Sequence, residues 1–399
     1  MNNQVPTHLD KESGLTIPTS ILFFLAVILP VLLPFVRRAT PVVLGIATLL
    51  AVIYLFQQAG RRKKLYQLAR PATFLGLAFL IWAGVTCFWA PVPSRSWQAV
   101  FSGAFVFACA NILRVVPLPS DRRILDGTSL SIALASLIIV LDLEAGGQLL
   151  HLIHSRPEPY RYNMVVVSLV ALSFGMFSRG LSLSQPIKYL AVLILVAAAF
   201  VSESETSKLA LIVGYFSMVS STLLPRRFSL MSSIVCLIFV WVVSLLRSDL
   251  LQNAADFWPS LAEHGHAAQR VQIWVAYSKM AIAGLPLGWG VESVAHVPMT
   301  SYFATVVEPL RVHLEWLHPH NNAIQIAVEM GLPGIFLGFI GCLFLLFWAH
   351  ADEKLRPARV GLISATIVVA LVSHGFWQMW WWSAVAISIW LLQSNRGEA

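Results

Sequence analysis

The chain has 399 residues, of which 57% are hydrophobic and only 12% are charged, and its formal net charge at pH 7 is +8. Soluble domains carry about 25% charged residues, so this composition excludes an ordinary soluble enzyme. On a chain this apolar, an excess of positive charge indicates membrane-flanking loops rather than a nucleic-acid surface. The sequence therefore predicts an integral membrane protein that binds membrane lipids and no nucleic acid.

Apolar segments recur along the chain, and a helix that crosses a bilayer needs about 20 apolar residues. We predict about twelve crossings, centred near residues 26, 49, 81, 106, 135, 170, 193, 216, 237, 341, 366 and 386. The first follows the polar leader MNNQVPTHLDKESG without a small-residue cleavage site, which indicates a retained span and not a signal peptide. The predicted fold is an all-α polytopic membrane protein.

Basic residues set the predicted orientation, because cytoplasmic loops are enriched in Lys and Arg. A cytoplasmic N-terminus places five basic clusters together on the cytoplasmic side. These clusters are RRKK at 61–64, Arg122 and Arg123, Arg179 and Lys188, Arg226 and Arg227, and Lys354, Arg356 and Arg359. An even number of spans then returns the C-terminus to the cytoplasm.

The chain divides into three predicted parts. Residues 1–246 form transmembrane helices 1 to 9 with short loops, residues 247–322 form one long periplasmic loop, and residues 323–399 form helices 10 to 12. A loop of about 75 residues is well beyond the usual connection length, so it should carry structure and function.

The middle of the long loop, HAAQRVQIWVAYSKMAIAG, has helical spacing and stops at Gly284 and Pro286. It predicts an amphipathic helix that lies in or on the outer interface and carries Arg270. No CxxC spacing links the four cysteines, and the outer acidic residues show no metal-binding pattern. We therefore expect chemistry without a metal.

Cations are scarce on the predicted outer face, so those that remain are informative. The candidates among them are Arg156, Arg161, Lys208 and Arg270. Brought together, they would bind a phosphate or pyrophosphate, because guanidinium groups match phosphate oxygens in bidentate geometry. The alternative for each is contact with lipid headgroups.

The stretch HPHNNAIQIAVEMGLPG, residues 318–334, places polar side chains at the mouth of a hydrophobic span. His320 is predicted to begin a short helix that Gly331, Pro333 and Gly334 interrupt. The positive end of a helix dipole favours neutral imidazole, which is the form that a general base requires, and it also attracts anions. The alternative is an interfacial histidine that caps a span.

Three neighbours of His320 are predicted to support it. Asn321 and Gln325 lie one helical turn apart and would orient a hydroxylated ligand, while His318 would orient or assist the base. Further along, the tryptophans of HGFWQMWWWSAV are expected in an aromatic belt at the outer interface, with stacking on a lipid or a sugar as the alternative.

Several of these motifs together resemble a known family. His320 and Asn321, followed after nine residues by Gly331 and Gly334, match the pattern H[NSQ]x9GxxG of bacterial O-antigen ligases. RVQIWVAYSKMAIAGLPLGWG resembles the R-x2-hW…PhhGhG stretch (h apolar) of the wider O-antigen ligase and polymerase superfamily. SESETSKLA resembles its S-x-S-[KR] segment, and YRYN is similar to its arginine before the sixth span. The resemblance covers nearly the whole chain.

The resemblance implies a glycosyltransferase in the bacterial inner membrane with a periplasmic active site. Its donor would be an undecaprenyl diphosphate-linked glycan and its acceptor a sugar hydroxyl of lipid A core. His320 would deprotonate the acceptor, Arg161 and Arg270 would bind the pyrophosphate, and Lys208 and Arg156 would be secondary candidates. Neither a metal nor another cofactor is implied, and a single displacement would invert the anomeric centre.

Other functions stay open at this stage. An O-antigen polymerase would use the same donor with a second lipid-linked glycan as acceptor. An oligosaccharyltransferase that modifies protein hydroxyls usually carries a large soluble C-terminal extension. A transporter or flippase would have a similar number of spans, but its ionisable residues concentrate near the bilayer midplane.

Overall fold

The computed structural model describes residues 19–36, 38–57, 68–116, 122–153, 162–177, 185–246, 267–295 and 318–393. Within these ranges 81% of the residues are helical and no residue lies in a β-strand, which confirms the predicted all-α class. The described α-helices are α1 (Thr19–Leu32), α2 (Ala39–Gln57), α3 (Pro71–Thr86), α4 (Pro93–Arg114), α5 (Arg122–Glu144), α6 (Gln148–Ile153), α7 (Asn163–Gly175), α8 (Gln185–Val201), α9 (Glu205–Leu223), α10 (Arg226–Leu246), α11 (Ala267–Ala283), α12 (Asn322–Ala349), α13 (Arg356–Val372) and α14 (Met379–Leu391).

Each of the twelve predicted spans coincides with a helix, namely α1 to α5, α7 to α10 and α12 to α14. Among the described helices, five are long and apolar enough to cross a membrane by themselves: α2, α4, α5, α10 and α12. Helices such as α7 and α14 have only 13 residues each. At 1.5 Å per residue they extend for about 20 Å, less than the hydrocarbon thickness. The protein is a membrane-embedded helical bundle, and the number of twelve crossings stays a prediction.

The outer surface of the bundle is apolar. Large hydrophobic side chains on five different helices are each more than 60% exposed: Leu49, Ile81, Phe101, Ile212 and Phe239. Exposed apolar area on this scale is unfavourable in water and matches the hydrocarbon region of a bilayer.

The centre of the bundle is formed by α7 and α14. All residues of α7 from Val165 to Gly175 are buried, and this helix packs against α14, α13 and α9. A helix that is apolar on all sides belongs in such a position. The same packing corrects the expectation of an aromatic belt, because Trp380 and Trp381 of α14 are only 5% and 1% exposed and belong to the core.

Contacts between helix ends define two ends of the bundle. Ser229, near the start of α10, lies 3.1 Å from His350 after the end of α12. Asn321, just before α12, donates to Ser244 near the end of α10. α10 and α12 are therefore antiparallel. The end where Ser229 meets His350 carries Arg226, Lys354, Arg356 and Arg359 and is called the basic end. The opposite end, where Asn321 meets Ser244, is called the site end.

Helix α12 is broken at Gly331, whose φ and ψ are 60° and −152°. A break inside an apolar helix leaves backbone groups without partners, which is costly in lipid. Here the carbonyls of residues 328–330 accept hydrogen bonds of 2.8 to 2.9 Å from the backbone N–H groups of Trp289 and Gly290 and from the indole of Trp82. The predicted interruption is therefore present, and other segments supply hydrogen-bond partners for the backbone groups that it frees.

The chain segment 286–290 lies so close to the break that only a glycine fits at position 288. The N–H of Leu332 donates to the carbonyl of Pro286 at 2.8 Å. At Gly288, where φ is +80°, a Cβ would lie 2.6 Å from the carbonyl oxygen of Glu329. The two glycine-containing stretches GLPLGWG and GLPG are thus physical partners.

We predict that Gly331→Ala lowers the free energy of unfolding by at least about 1 kcal/mol. The alanine would have to keep the positive φ of Gly331, which L residues rarely adopt, and its Cβ would overlap the carbonyl of Pro286. Gly341→Ala in the same helix is the matched control, since a Cβ there meets nothing within 4 Å. The control should be neutral or stabilising. Thermal unfolding in detergent measures both, and equal melting temperatures would contradict this account of the break.

Candidate functional site

The candidate site lies at the site end, where α12 begins beside the end of α10 and near the connection between α13 and α14. Six predicted site residues are described there: Lys208, Arg270, His318, His320, Asn321 and Gln325. Arg156 and Arg161 lie outside the described residues, so their roles stay predictions.

Asn321 fixes the start of α12. Its side-chain oxygen accepts hydrogen bonds from the backbone N–H groups of Ala323 and Ile324 at 3.0 and 3.2 Å. Its amide nitrogen donates to Ser244 Oγ at 3.0 Å, and the residue is 2% exposed. This is the geometry of a helix N-cap. The cap explains the residue type, and the predicted contact of Asn321 with a ligand stays untested.

His320 precedes the cap and is therefore outside the helix that it was predicted to begin. Its φ is 50°, in the left-handed region, which costs a non-glycine residue on the order of 1 kcal/mol. Two hydrogen bonds hold it there. Its backbone N–H donates to His318 Nδ1 at 3.2 Å, and its ring Nδ1 bonds the carbonyl of Ser373. His318 is thus in direct contact with the backbone of His320, and its predicted role of orienting or assisting the base stays a prediction.

The bond to Ser373 determines which ring nitrogen of His320 is basic. A carbonyl oxygen only accepts, so Nδ1 must carry the proton and Nε2 must carry the lone pair. Burial lowers the pKa of His320, the Ser373 bond opposes that change, and the charge of Arg270 adds to it. At neutral pH the imidazole is therefore neutral, with Nε2 as its basic atom.

Two further histidines share this environment, and with His320 they form the histidine cluster: His318, His320 and His374. Burial, together with His320 and His374, holds the pKa of His318 well below its ordinary value. Burial followed by the charges of His320 and Arg270 lowers the pKa of His374 to about 3. The His374 ring packs edge-on against Trp380 at 4.7 Å, and its Nε2 is buried without a hydrogen-bond partner among the described residues.

Arg270 lies on α11, and the helix predicted from its spacing is confirmed. Burial lowers the pKa of the Arg270 guanidinium, and Glu205 opposes this change. Glu205 also pairs with Lys208 at 2.7 Å. Arg270 and Lys208 are thus both close to one carboxylate, and Arg270 is near enough to affect two of the histidines. Arg270 is therefore within electrostatic range of His320 and of Glu205, the ion-pair partner of Lys208.

Gln325 is 2% exposed and is occupied by protein contacts. Its amide nitrogen donates to Glu329 Oε1 at 2.9 Å, and its oxygen accepts from the backbone N–H of Phe376 at 2.8 Å. These bonds give Gln325 a structural role, and its predicted action on a ligand stays untested.

Two residues near the site, His374 and Glu329, are not among the predicted site residues. A signal exists for each, since Glu329 is a lone acid in an apolar helix at i+4 from Gln325, and His374 is a lone histidine in an aromatic run. A second acid, Glu292, lies close enough to Glu329 to repel its carboxylate. Burial raises the pKa of Glu292, and Arg95 opposes the rise.

Comparisons with known proteins agree on one family. Residues 190–340 match a family model described as O-antigen ligase. A "Putative polysaccharide ligase" of Rickettsia prowazekii is 25% identical over 332 residues, which cover 79% of this chain and 78% of that protein. A protein of the same description in Rickettsia typhi is 23% identical over 391 residues, 95% of this chain and 92% of that one. A relative in Rickettsia bellii is 30% identical over 140 residues, 33% and 32% of the two chains.

We predict that acid destabilises the wild-type protein more than a His374→Phe variant. The pKa of His374 is about 3 in the folded protein and about 6.5 when unfolded. Its stabilising contribution is therefore complete above pH 6.5 and is lost as the pH falls towards 3. Phenylalanine cannot take up this proton and keeps the contact with Trp380. Melting temperatures in detergent from pH 7 to pH 4 measure the difference.

The control for this prediction is His151→Phe, because His151 is an exposed histidine of α6. Its melting temperature should fall with pH as steeply as that of the wild type. An equally steep fall in the His374→Phe variant would show that His374 is not held neutral by the fold.

Proposed function

Because the chain belongs to the O-antigen ligase superfamily, we propose that it transfers an O-antigen glycan from undecaprenyl diphosphate to a sugar hydroxyl of lipid A core. The reaction takes place at the periplasmic face of the bacterial inner membrane. His320 is the general base, and Arg270, with Arg161, binds the diphosphate. Lys208 and Arg156 assist in binding it. The steps need neither a metal nor another cofactor.

The distribution of charge supports this orientation. The basic end of the bundle carries Arg226, Lys354, Arg356 and Arg359, and the histidine cluster lies at the opposite end. Cytoplasmic loops are the ones enriched in arginine and lysine. The proposal therefore assigns the site end to the periplasm, with both termini in the cytoplasm and about twelve crossings in total.

The single observation that carries the proposal is the state of His320. Its Nδ1 bonds to Ser373, its Nε2 holds the lone pair, and its lowered pKa keeps the ring neutral beside a cation. A base with these properties accepts a proton from a neutral hydroxyl at physiological pH. The adjacent cation suits a negatively charged reactant.

The reaction is one displacement. The acceptor hydroxyl gives its proton to Nε2 of His320 while its oxygen attacks the anomeric carbon of the donor sugar. The bond from that carbon to the diphosphate oxygen breaks, and undecaprenyl diphosphate leaves with the electron pair. The attraction between Arg270 and the leaving oxygen strengthens as negative charge grows on that oxygen, which stabilises the transition state. The imidazolium that forms keeps its Nδ1–H bond to Ser373 and later releases its proton to water.

Both substrates have lipid tails, so the site should open sideways to the outer leaflet. α11 packs against α10 and α12 at the site end and would form one wall of that opening. A polymerase is the second candidate, because the same base and cation serve a second lipid-linked glycan as acceptor. The product distinguishes the two, since a ligase transfers the chain to lipid A core and a polymerase lengthens the lipid-linked chain.

We predict that His320→Ala reduces glycan transfer about 100-fold to 10,000-fold, the range expected for loss of a general base. The test expresses wild type and variant in a ligase-deficient Gram-negative strain with a compatible glycan, and compares lipopolysaccharide with the lipid-linked pool. Wild type should place long chains on core, and the variant should leave polymer on undecaprenyl diphosphate. Equal transfer by the two proteins would remove His320 from the mechanism.

We predict that Arg270→Lys lowers kcat/KM about 10-fold to 100-fold, because an ammonium group cannot replace a bidentate guanidinium. The matched control is Lys279→Ala on the same helix, where Lys279 is exposed, and it should leave kcat/KM unchanged. Steady-state transfer in detergent with purified donor and acceptor measures both. A fully active Arg270→Lys variant would mean that the arginine only anchors α11.

A further inference from the structure

Glu329 is a carboxyl group buried in the apolar helix α12, where it is 1% exposed. A buried carboxyl is costly unless both of its oxygens are hydrogen-bonded. Here Oε1 accepts from Gln325 Nε2 at 2.9 Å, and Oε2 accepts from the indole N–H of Trp377 at 2.6 Å. Both oxygens act as acceptors, and the backbone N–H of Glu292 also bonds this carboxyl group.

These hydrogen bonds form a network in which every donor–acceptor direction leads towards Glu329. The backbone N–H of Phe376 donates to the Gln325 oxygen, the Gln325 nitrogen donates to Glu329, and Trp377 also donates to Glu329. A glutamine can take the middle position only if its oxygen faces the backbone donor and its nitrogen faces an acceptor. Two side chains of α12 therefore hold residues 373–378, the connection between α13 and α14.

The same connection positions the histidine cluster. The carbonyl of Ser373 bonds His320 Nδ1, and the amide of Gln378 lies 3.4 Å from His318 Nε2. Gly375 lies against His318, because a Cβ there would be 3.3 Å from the ring. A shift of the connection would therefore move both histidines.

We infer that Glu329 is a positioning residue, which holds the 373–378 connection through Gln325 and Trp377 and thereby sets the ring orientation of His320. The inference rests on the proposed role of His320 as the base. It extends beyond the matched region 190–340, because Phe376, Trp377 and Ser373 lie outside it. What position 329 must supply is two acceptor oxygens in this network of hydrogen bonds.

The donor–acceptor directions of this network give a sharp test. In Glu329→Gln, the new amide nitrogen faces a donor, either Gln325 or Trp377, and one bond is lost. In the double variant Gln325→Glu with Glu329→Gln, the carboxylate at 325 accepts from Phe376 and from the new amide at 329. The amide oxygen at 329 then accepts from Trp377. All three bonds are restored with the two groups exchanged.

Glu329→Gln should lower kcat between about 10-fold and 100-fold with a smaller change in KM, and the double variant should recover most of kcat. Gln325→Glu alone is the control and should also be impaired, because it sets two carboxyl groups against each other. A double variant that stays inactive or does not fold overturns the inference, because it would show that the carboxylate is needed at position 329 itself.

A second readout needs no substrate. Hydrogen–deuterium exchange at the imidazole C2 atoms, followed by mass spectrometry, gives the pKa of each histidine in the full-length protein. In Glu329→Gln the pKa of His320 should fall further below its ordinary value, because a displaced connection removes the Ser373 bond, which raises that pKa. In the double variant it should return to the wild-type value, and an unchanged pKa in Glu329→Gln contradicts the inference. If the pKa values behave as expected but no protein transfers glycan, the proposed function fails and the positioning role stands.

Discussion

The structure depends on the break in α12 and on how its backbone groups are satisfied. In an apolar environment every free carbonyl or N–H is costly, so a helix can be interrupted only where other segments supply partners. Residues 286–290 and Trp82 supply them here, with bonds to the carbonyls of residues 328–330. This requirement explains why a loop with two closely packed glycines accompanies a helix with a glycine at its break. It also fixes the part of α12 before the break, and that part carries the site.

The candidate site follows from this fixed half-helix. Asn321 caps it and bonds α10, so the residue before the cap has little freedom. His320 occupies that position in a left-handed conformation, held by His318 and by the carbonyl of Ser373. Burial keeps the imidazole neutral, and Arg270 is near enough to affect its pKa. A neutral imidazole within electrostatic range of a guanidinium suits the proposed deprotonation of a hydroxyl near a diphosphate.

Sequence patterns predicted the helices and the superfamily but only part of the site. Apolar runs placed all twelve predicted spans on helices, and Gly331 with Pro333 predicted the break. The partners of the break were not predictable, because residues 286–290 and above all Trp82 lie far from it in sequence. Asn321 was assigned to a ligand although asparagine before a helix also signals a cap. His374 and Glu329 were missed because their importance comes from packing between α12 and a connection distant in sequence.

The most direct test of the account uses the purified protein in proteoliposomes without an ion gradient. Labelled glycan on undecaprenyl diphosphate and lipid A core acceptor are supplied on the side of the site end, and products are resolved over time. The account predicts glycan on lipid A core, one undecaprenyl diphosphate released per linkage, and an inverted anomeric centre. Lengthening of the lipid-linked glycan without transfer to core, or a need for an ion gradient, would contradict it.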